Sequence, residues 1–212
     1  MSLHEESASR PIAARSSVWA KALSAKLGRW GVSPNAISVT SVIFAAIGGL
    51  LIFFGTYWLA WLLAAVCVQL RLICNLLDGM VAIEGGKKSS VGAIYNEFPD
   101  RIADTLFLVP LGYAAAMPWL GWFGALLAAL TAYVRVFGGS LGLAQDFSGV
   151  MAKQRRMAAL TAGLVVQAIL SFFSAALWPL LITAAVIAAG SLVTCVTRTV
   201  AIARKLELGA DH

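Results

Sequence analysis

Asp78, Asp100 and Asp104 stand inside long apolar runs, where an ionisable side chain costs roughly 2.5–3.5 kcal/mol on insertion scales and therefore has a reason to be present. Arg71 and Arg135 share that situation, and Glu97 and Arg101 lie beside them. Arg71, Asn75 and Asp78 follow one another at helical spacing, on one face of a helix. Asn96, Asp100 and Asp104 do the same on the next apolar segment. The first segment ends near where the second begins, so the two polar faces can meet at one end. Carboxylates and carboxamides are oxygen ligands, and an oxygen-rich acidic site suits a hard cation such as Mg²⁺, Mn²⁺ or Ca²⁺. A bland alternative is a buried ion pair of Asp100 with Arg71 or Arg101 that fixes helix packing. Gly79 and Gly92, near the ends of the two faces, argue for more than packing, because glycine lets a ligand approach the backbone.

These faces need helices to carry them, and the apolar runs supply them. Of 212 residues, 60% are hydrophobic and 12% charged, about half the charge of a soluble domain. Six spans are predicted, at Asn35–Phe54, Leu59–Ile83, Gly92–Met117, Leu120–Leu143, Met157–Ala176 and Trp178–Ala203. Alternate connections differ in charge. Gly55–Trp58, Pro118–Trp119 and Ser174–Pro179 contain no Lys or Arg. The others carry Lys87 and Lys88, then Lys153, Arg155 and Arg156, then Arg204 and Lys205. The positive-inside rule then puts both termini and every basic loop in the cytoplasm. Trp58, Trp61, Trp119, Trp122 and Trp178 gather at the charge-free ends, as an interfacial belt does. Before the first span, Trp19, Ala22, Leu23, Leu27 and Trp30 recur at helical spacing between Lys21, Lys26 and Arg29, which predicts an amphipathic helix on the membrane surface.

The expected organisation is thus all-α and integral to the membrane. It has a polar N-terminus (1–17), a surface helix (18–33), a six-helix membrane domain (34–205) and a short tail (206–212). Residues 1–17 lack the apolar core of a signal peptide. Cys67, Cys74 and Cys195 lie in apolar runs with the spacing of neither a zinc site nor a disulfide framework. The net charge of +6 is spread beside the hydrophobic runs, which suits anionic lipid headgroups rather than nucleic acid.

In order, the polar stretch reads Asn75-x2-Asp78-Gly79-x2-Ala82-Ile83-x8-Gly92-x3-Asn96-x3-Asp100-x3-Asp104. It resembles the signature of the CDP-alcohol phosphotransferases, Asp-x2-Asp-Gly-x2-Ala-Arg-x8-Gly-x3-Asp-x3-Asp. The spacing agrees through Asp100. Asn75 and Asn96 replace two of the aspartates, Ile83 replaces the arginine, and Asp104 is an additional carboxylate one turn on.

The resemblance implies a metal-dependent transfer of a phosphatidyl group from CDP-diacylglycerol to an alcohol, with release of CMP, in phospholipid synthesis. It implies one or two divalent ions, Mg²⁺ or Mn²⁺, on Asn75, Asp78, Asn96 and Asp100, with Asp100 as general base. Asp104, on the same helical face, is expected to restore the missing charge, ahead of Glu97. Gly79, Ala82 and Gly92 would border the cytidine diphosphate. Arg135, Lys153, Arg155 and Arg156 lie where family members hold a phosphorylated acceptor, and arginine pairs two phosphate oxygens at once. A homodimer is expected from the family, and Gly48-Gly49 and Gly138-Gly139 permit close helix contact, whether between chains or within one. A bacterial cytoplasmic membrane, with the site facing the cytoplasm, is the expected location. Two other functions compete: a catalytically weak relative that binds nucleotide-lipid, and a transporter with an acidic site, against which the lack of an internal repeat counts.

Overall fold

The computed structural model describes residues 17–84 and 91–210. The polar N-terminus, Lys87 and Lys88, and the side chain of Asn96 lie outside the described residues. Among those described, the chain is helical with no strand. Its helices are α1 (Val18–Arg29), α2 (Pro34–Phe54), α3 (Trp58–Glu84), α4 (Gly92–Ala114), α5 (Pro118–Ser140), α6 (Lys153–Leu170) and α7 (Trp178–Ala210).

Local chemistry accounts for the punctuation. Gly31, at φ 76°, takes the left-handed turn that ends α1. Ser33 then caps α2, its hydroxyl accepting from the Ala36 N–H at 3.2 Å, with Pro34 in the first turn. α7 runs past the expected end of the sixth span to Ala210, so most of the expected tail is helix. α6 begins at Lys153 and ends at Leu170, earlier at both ends than predicted, and its first turn takes in the buried Lys153 and Arg156.

Four helices are long and apolar enough to cross a membrane: α2, α3, α5 and α7. The chain is an integral membrane protein. α4 and α6 are the exceptions, since α4 carries Glu97, Asp100, Arg101 and Asp104, and α6 opens with Lys153, Arg155 and Arg156.

α4 packs against α2, α5 and α7, while α3 packs against α1, α2 and α6. One apolar core joins Ile52, Val68, Phe107, Leu111, Leu160, Leu164 and Ile187. α1 lies on α3, with Ala20 against Leu76 and Met80, and Trp19 and Trp30 exposed.

Successive helices of the bundle run antiparallel. Phe53 meets Tyr113 with ring centroids 5.5 Å apart, and Trp58 stacks on Phe172 at 5.2 Å, which gathers the charge-free ends together. Trp58, Trp119, Trp122 and Trp178 are exposed there. Trp61 is not part of that belt: it is 2% exposed and sits in the core. The paired glycines serve packing within the chain. Gly48 faces Phe107 and Cys67, Gly138 faces Ile202, and Gly139 faces Gln145.

Gly49 shows why such small residues are needed. Pro110, inside α4, has no N–H for the carbonyl of Leu106 one turn earlier. Gly49 of α2 lies against that carbonyl, where its Cα–H is the available weak donor.

Candidate functional site

The polar faces of α3 and α4 do meet, at the end of the bundle that carries the basic connections. Asp100 is the hub. Its Oδ1 accepts from Arg71 Nη2 at 3.0 Å and from Asn75 Nδ2 at 2.7 Å. Its Oδ2 accepts from Lys153 Nζ, and Arg101 Nη2 stands 3.7 Å away. One turn deeper, Asp104 Oδ2 accepts from Arg156 Nη2 at 2.6 Å, and its Oδ1 lies 3.5 Å from Arg71 Nη2. Asp78 Oδ2 accepts from the Ser38 hydroxyl of α2 at 2.7 Å. All three carboxylates are buried, as are Arg71, Lys153 and Arg156.

The arrangement departs from the sequence expectations in three places. Asp100 is paired with Arg71, as the packing alternative held, and with Asn75 and Lys153 as well. Asp104 spends its charge on Arg156 rather than offering it beside Asp78. Glu97 pairs with Arg135 at 2.5 Å and turns away from the carboxylates. Asn75, Asp78 and Asp100 lie in the cluster, while Gly79, Ala82 and Gly92 are partly exposed at its border.

Among the described residues no three His, Cys, Asp or Glu side chains converge as a metal cage. The donor chemistry still fits a hard cation, because carboxylates of Asp78 and Asp100 and the amide of Asn75 share one face. Asp104 Oδ1 is buried without a hydrogen-bond donor, so the cluster retains unsatisfied oxygen.

The basic residues expected on the acceptor side divide into two groups. Lys153 and Arg156 belong to the carboxylate cluster. Arg135 donates to Gln145 and Glu97 and lies over the Phe147 ring at 4.8 Å. Arg155 is exposed and donates to the Gly149 carbonyl at 3.1 Å.

A second cationic feature escaped the sequence reading. Arg198 of α7 donates to the Ser148 carbonyl through Nε at 2.9 Å and Nη2 at 2.5 Å, and to the Thr131 carbonyl through Nη1 at 2.6 Å. It ties the segment between α5 and α6 to α7 and to α5. Gly149, at φ 137°, lets that segment pass Thr194, where a side chain would collide. Arg135, Asp146, Arg198 and Lys205 line a small cleft between α5 and α7. The Ser148 hydroxyl and N–H beside Asp146 hold its carboxyl below the usual range, against partial burial, so it is ionised at neutral pH. Arg198 lies inside the predicted sixth span, and the rule that singled out Arg135 applies to it equally.

The architecture has solved counterparts. Crystal structures of Mycobacterium tuberculosis phosphatidylinositol phosphate synthase (PgsA1) superpose on this chain. The structure with CDP-DAG bound gives a TM-score of 0.72 at 21% identity, covering 86% of this chain and 92% of that one. The complex with manganese and citrate gives 0.70 at 20% identity, covering 86% and 88%.

This chain has the CDP-alcohol phosphotransferase fold.

The CDP-alcohol phosphotransferase fold extends over most of the chain, including the helices that carry Asp78, Asp100 and Asp104. Inner membrane protein YnbA of Escherichia coli (strain K12) is 32% identical over 79 residues, 37% of this chain. The matched segment spans 39% of that relative's length. No protein-family model matches the chain.

Proposed function

We propose that the protein transfers a phosphatidyl group from CDP-diacylglycerol to an alcohol, releasing CMP. The observation that carries this is the convergence of Asn75, Asp78 and Asp100 at the basic end of a CDP-alcohol phosphotransferase fold, in the order and spacing of that family's signature. PgsA1 with CDP-DAG bound, and PgsA1 with manganese, support the donor and a divalent ion, Mg²⁺ or Mn²⁺.

In this reading Asn75, Asp78, Asn96 and Asp100 hold the ion, while Asp104 stays with Arg156. A divalent ion held there supplies neutralisation of the diphosphate charge. Gly79, Ala82 and Gly92 leave room for the cytidine diphosphate beside the backbone. The acceptor oxygen bonds to the β-phosphorus as the bond from that phosphorus to the bridging oxygen breaks, and CMP departs with the electron pair. Asp100 takes the hydroxyl proton, and Arg71 and Asn75 orient it through Oδ1. Arg135 and Arg155 supply cations for an acceptor bearing a phosphate, next to Lys153 and Arg156, whose charges are paired with Asp100 and Asp104.

The six-span topology, with both termini and the site in the cytoplasm of a bacterial inner membrane, belongs to the same proposal. The basic residues of alternate connections support it. So does the basic end of the bundle, where the site lies. A homodimer remains part of the proposal through the fold rather than through the glycine pairs.

A second reading is binding of nucleotide-lipid without turnover. It is favoured by one observation: both oxygens of Asp100 are engaged by Arg71, Asn75 and Lys153. One assay separates the two. Protein in lipid vesicles is given labelled CDP-diacylglycerol, Mg²⁺ or Mn²⁺, and free or phosphorylated alcohols. Metal-dependent CMP release establishes the transferase. Donor binding with no CMP release to any acceptor, water included, establishes the binding protein.

A further inference from the structure

Charge balance sets this site apart. Asp78, Asp100 and Asp104 bring three negative charges, and Arg71, Lys153 and Arg156 bring three buried positive ones, with Arg101 adding a fourth at the rim, 3.7 Å from Asp100. A pair of divalent ions would add four more positive charges to a set that carries no net negative charge. The residues explain how the balance arose. An aspartate at position 75 would set two carboxyl groups about 2.7 Å apart, a distance that needs a shared proton or a cation between them. Asn75 instead donates directly to Asp100, closing the gap an ion would bridge. Lys153 sits on the other oxygen of Asp100, buried and reaching it from α6.

Arg71 completes the set. It is fully buried one turn below Asn75, yet its Nε and Nη1 make no hydrogen bond. A guanidinium that served packing alone would be satisfied more fully, since buried polar atoms are normally paired. Its spare N–H groups are donors for anionic oxygen.

We infer that Lys153 and Arg71 replace one divalent ion, so that the site holds a single metal ion and the protein's own cations do the work of the second. The Lys153 ammonium and Arg71 guanidinium then help to neutralise the donor diphosphate, and the metal is confined to the Asp78 end. This rests on the transferase reading above and specifies its metal site.

The test is a count of bound Mn²⁺ by electron paramagnetic resonance, with purified protein in nanodiscs containing CDP-diacylglycerol. One Mn²⁺ per chain is the expected result. Lys153→Met, which leaves Asp100 less compensated, binds that ion on the order of tenfold more tightly or better, because a unit charge a few ångström from the ion is removed. The double variant Asn75→Asp/Lys153→Met, which restores a carboxylate and removes the ammonium, binds two. Two Mn²⁺ in the unmodified protein would overturn the inference and leave the transferase reading intact. Unchanged or weaker binding by Lys153→Met would overturn it as well, as would a folded double variant that still holds one. No Mn²⁺ at all, with donor present, would remove the metal from the proposed function itself. The unmodified protein and the single variant decide the matter even where the double variant does not fold.

Discussion

Asn75 donates its side-chain amide to Asp100 Oδ1 across 2.7 Å, joining α3 to α4 at a point where the family signature has two carboxylates. The contact turns a repulsive pair into an attractive one. It also leaves the Asp100 carboxylate oriented before any ligand arrives.

Asn75→Asp is therefore expected to make folding depend on divalent ions. Arg71 and Lys153 are already paired with Asp100, so a second carboxylate beside it calls for a further cation or a shared proton. The variant should melt several degrees below the unmodified protein in chelator and recover in millimolar Mn²⁺, as read by a thermal scan in detergent. Equal melting in both conditions would contradict the closeness of residues 75 and 100.

Asp100→Asn removes the proposed base while keeping the shape of the side chain. CMP release should fall by roughly 10²–10⁴-fold, the usual contribution of a positioned base. Size-exclusion behaviour in detergent checks that the fold survives. Full activity would assign the proton to another group.

Arg156→Met removes the nearer of the two guanidinium partners of the buried Asp104 carboxylate and leaves Arg71 at 3.5 Å. Breaking a buried pair this way costs about 3–5 kcal/mol, whereas replacing both partners with apolar residues is much cheaper. Thermal stability should drop sharply in Arg156→Met and return in Arg156→Met/Asp104→Leu. If the double variant also kept its metal affinity, Asp104 would stand outside the metal shell, as its pairing indicates.

Gly49→Ala pushes a methyl group against the Leu106 carbonyl that Pro110 leaves unpaired. Overpacking of this kind costs about 1–3 kcal/mol. The variant should unfold at a lower temperature with its Mn²⁺ affinity unchanged, because the contact lies away from the carboxylates. A neutral outcome would mean that α2 and α4 can separate freely.

Much of this was legible in the sequence. Span-length apolar runs and the Ser33-Pro34 break placed α2 to α5 to within about three residues, whereas α6 and α7 departed by up to six or seven at their ends. Helical spacing put Asn75, Asp78 and Asp100 on facing stripes, because residues three or four apart share a face. Partner choice was not legible. Spacing along one helix does not reveal which cation of another helix will reach it, so Lys153 and Arg156 read as acceptor residues although they meet Asp100 and Asp104. Trp61 was misplaced likewise, since composition does not say which side of a helix faces its neighbours, and the glycine pairs, open between contacts within and between chains, pack within the chain. Arg198 was a different omission. A charge inside the last apolar run was visible and went unread.

The ion pairs between α3, α4 and α6 bear on how the chain enters the bilayer at all. α4, with two acids, a base and a third acid within two turns, is a poor substrate for insertion by itself. Arg71 on the preceding helix cancels part of that charge, so α3 and α4 are suited to leave the translocation machinery together as a hairpin. α6, whose Lys153 and Arg156 find their partners on α4, completes the neutralisation only after it has been synthesised. The residues proposed to handle the diphosphate are thus also the ones that neutralise the charges on α4 and α6.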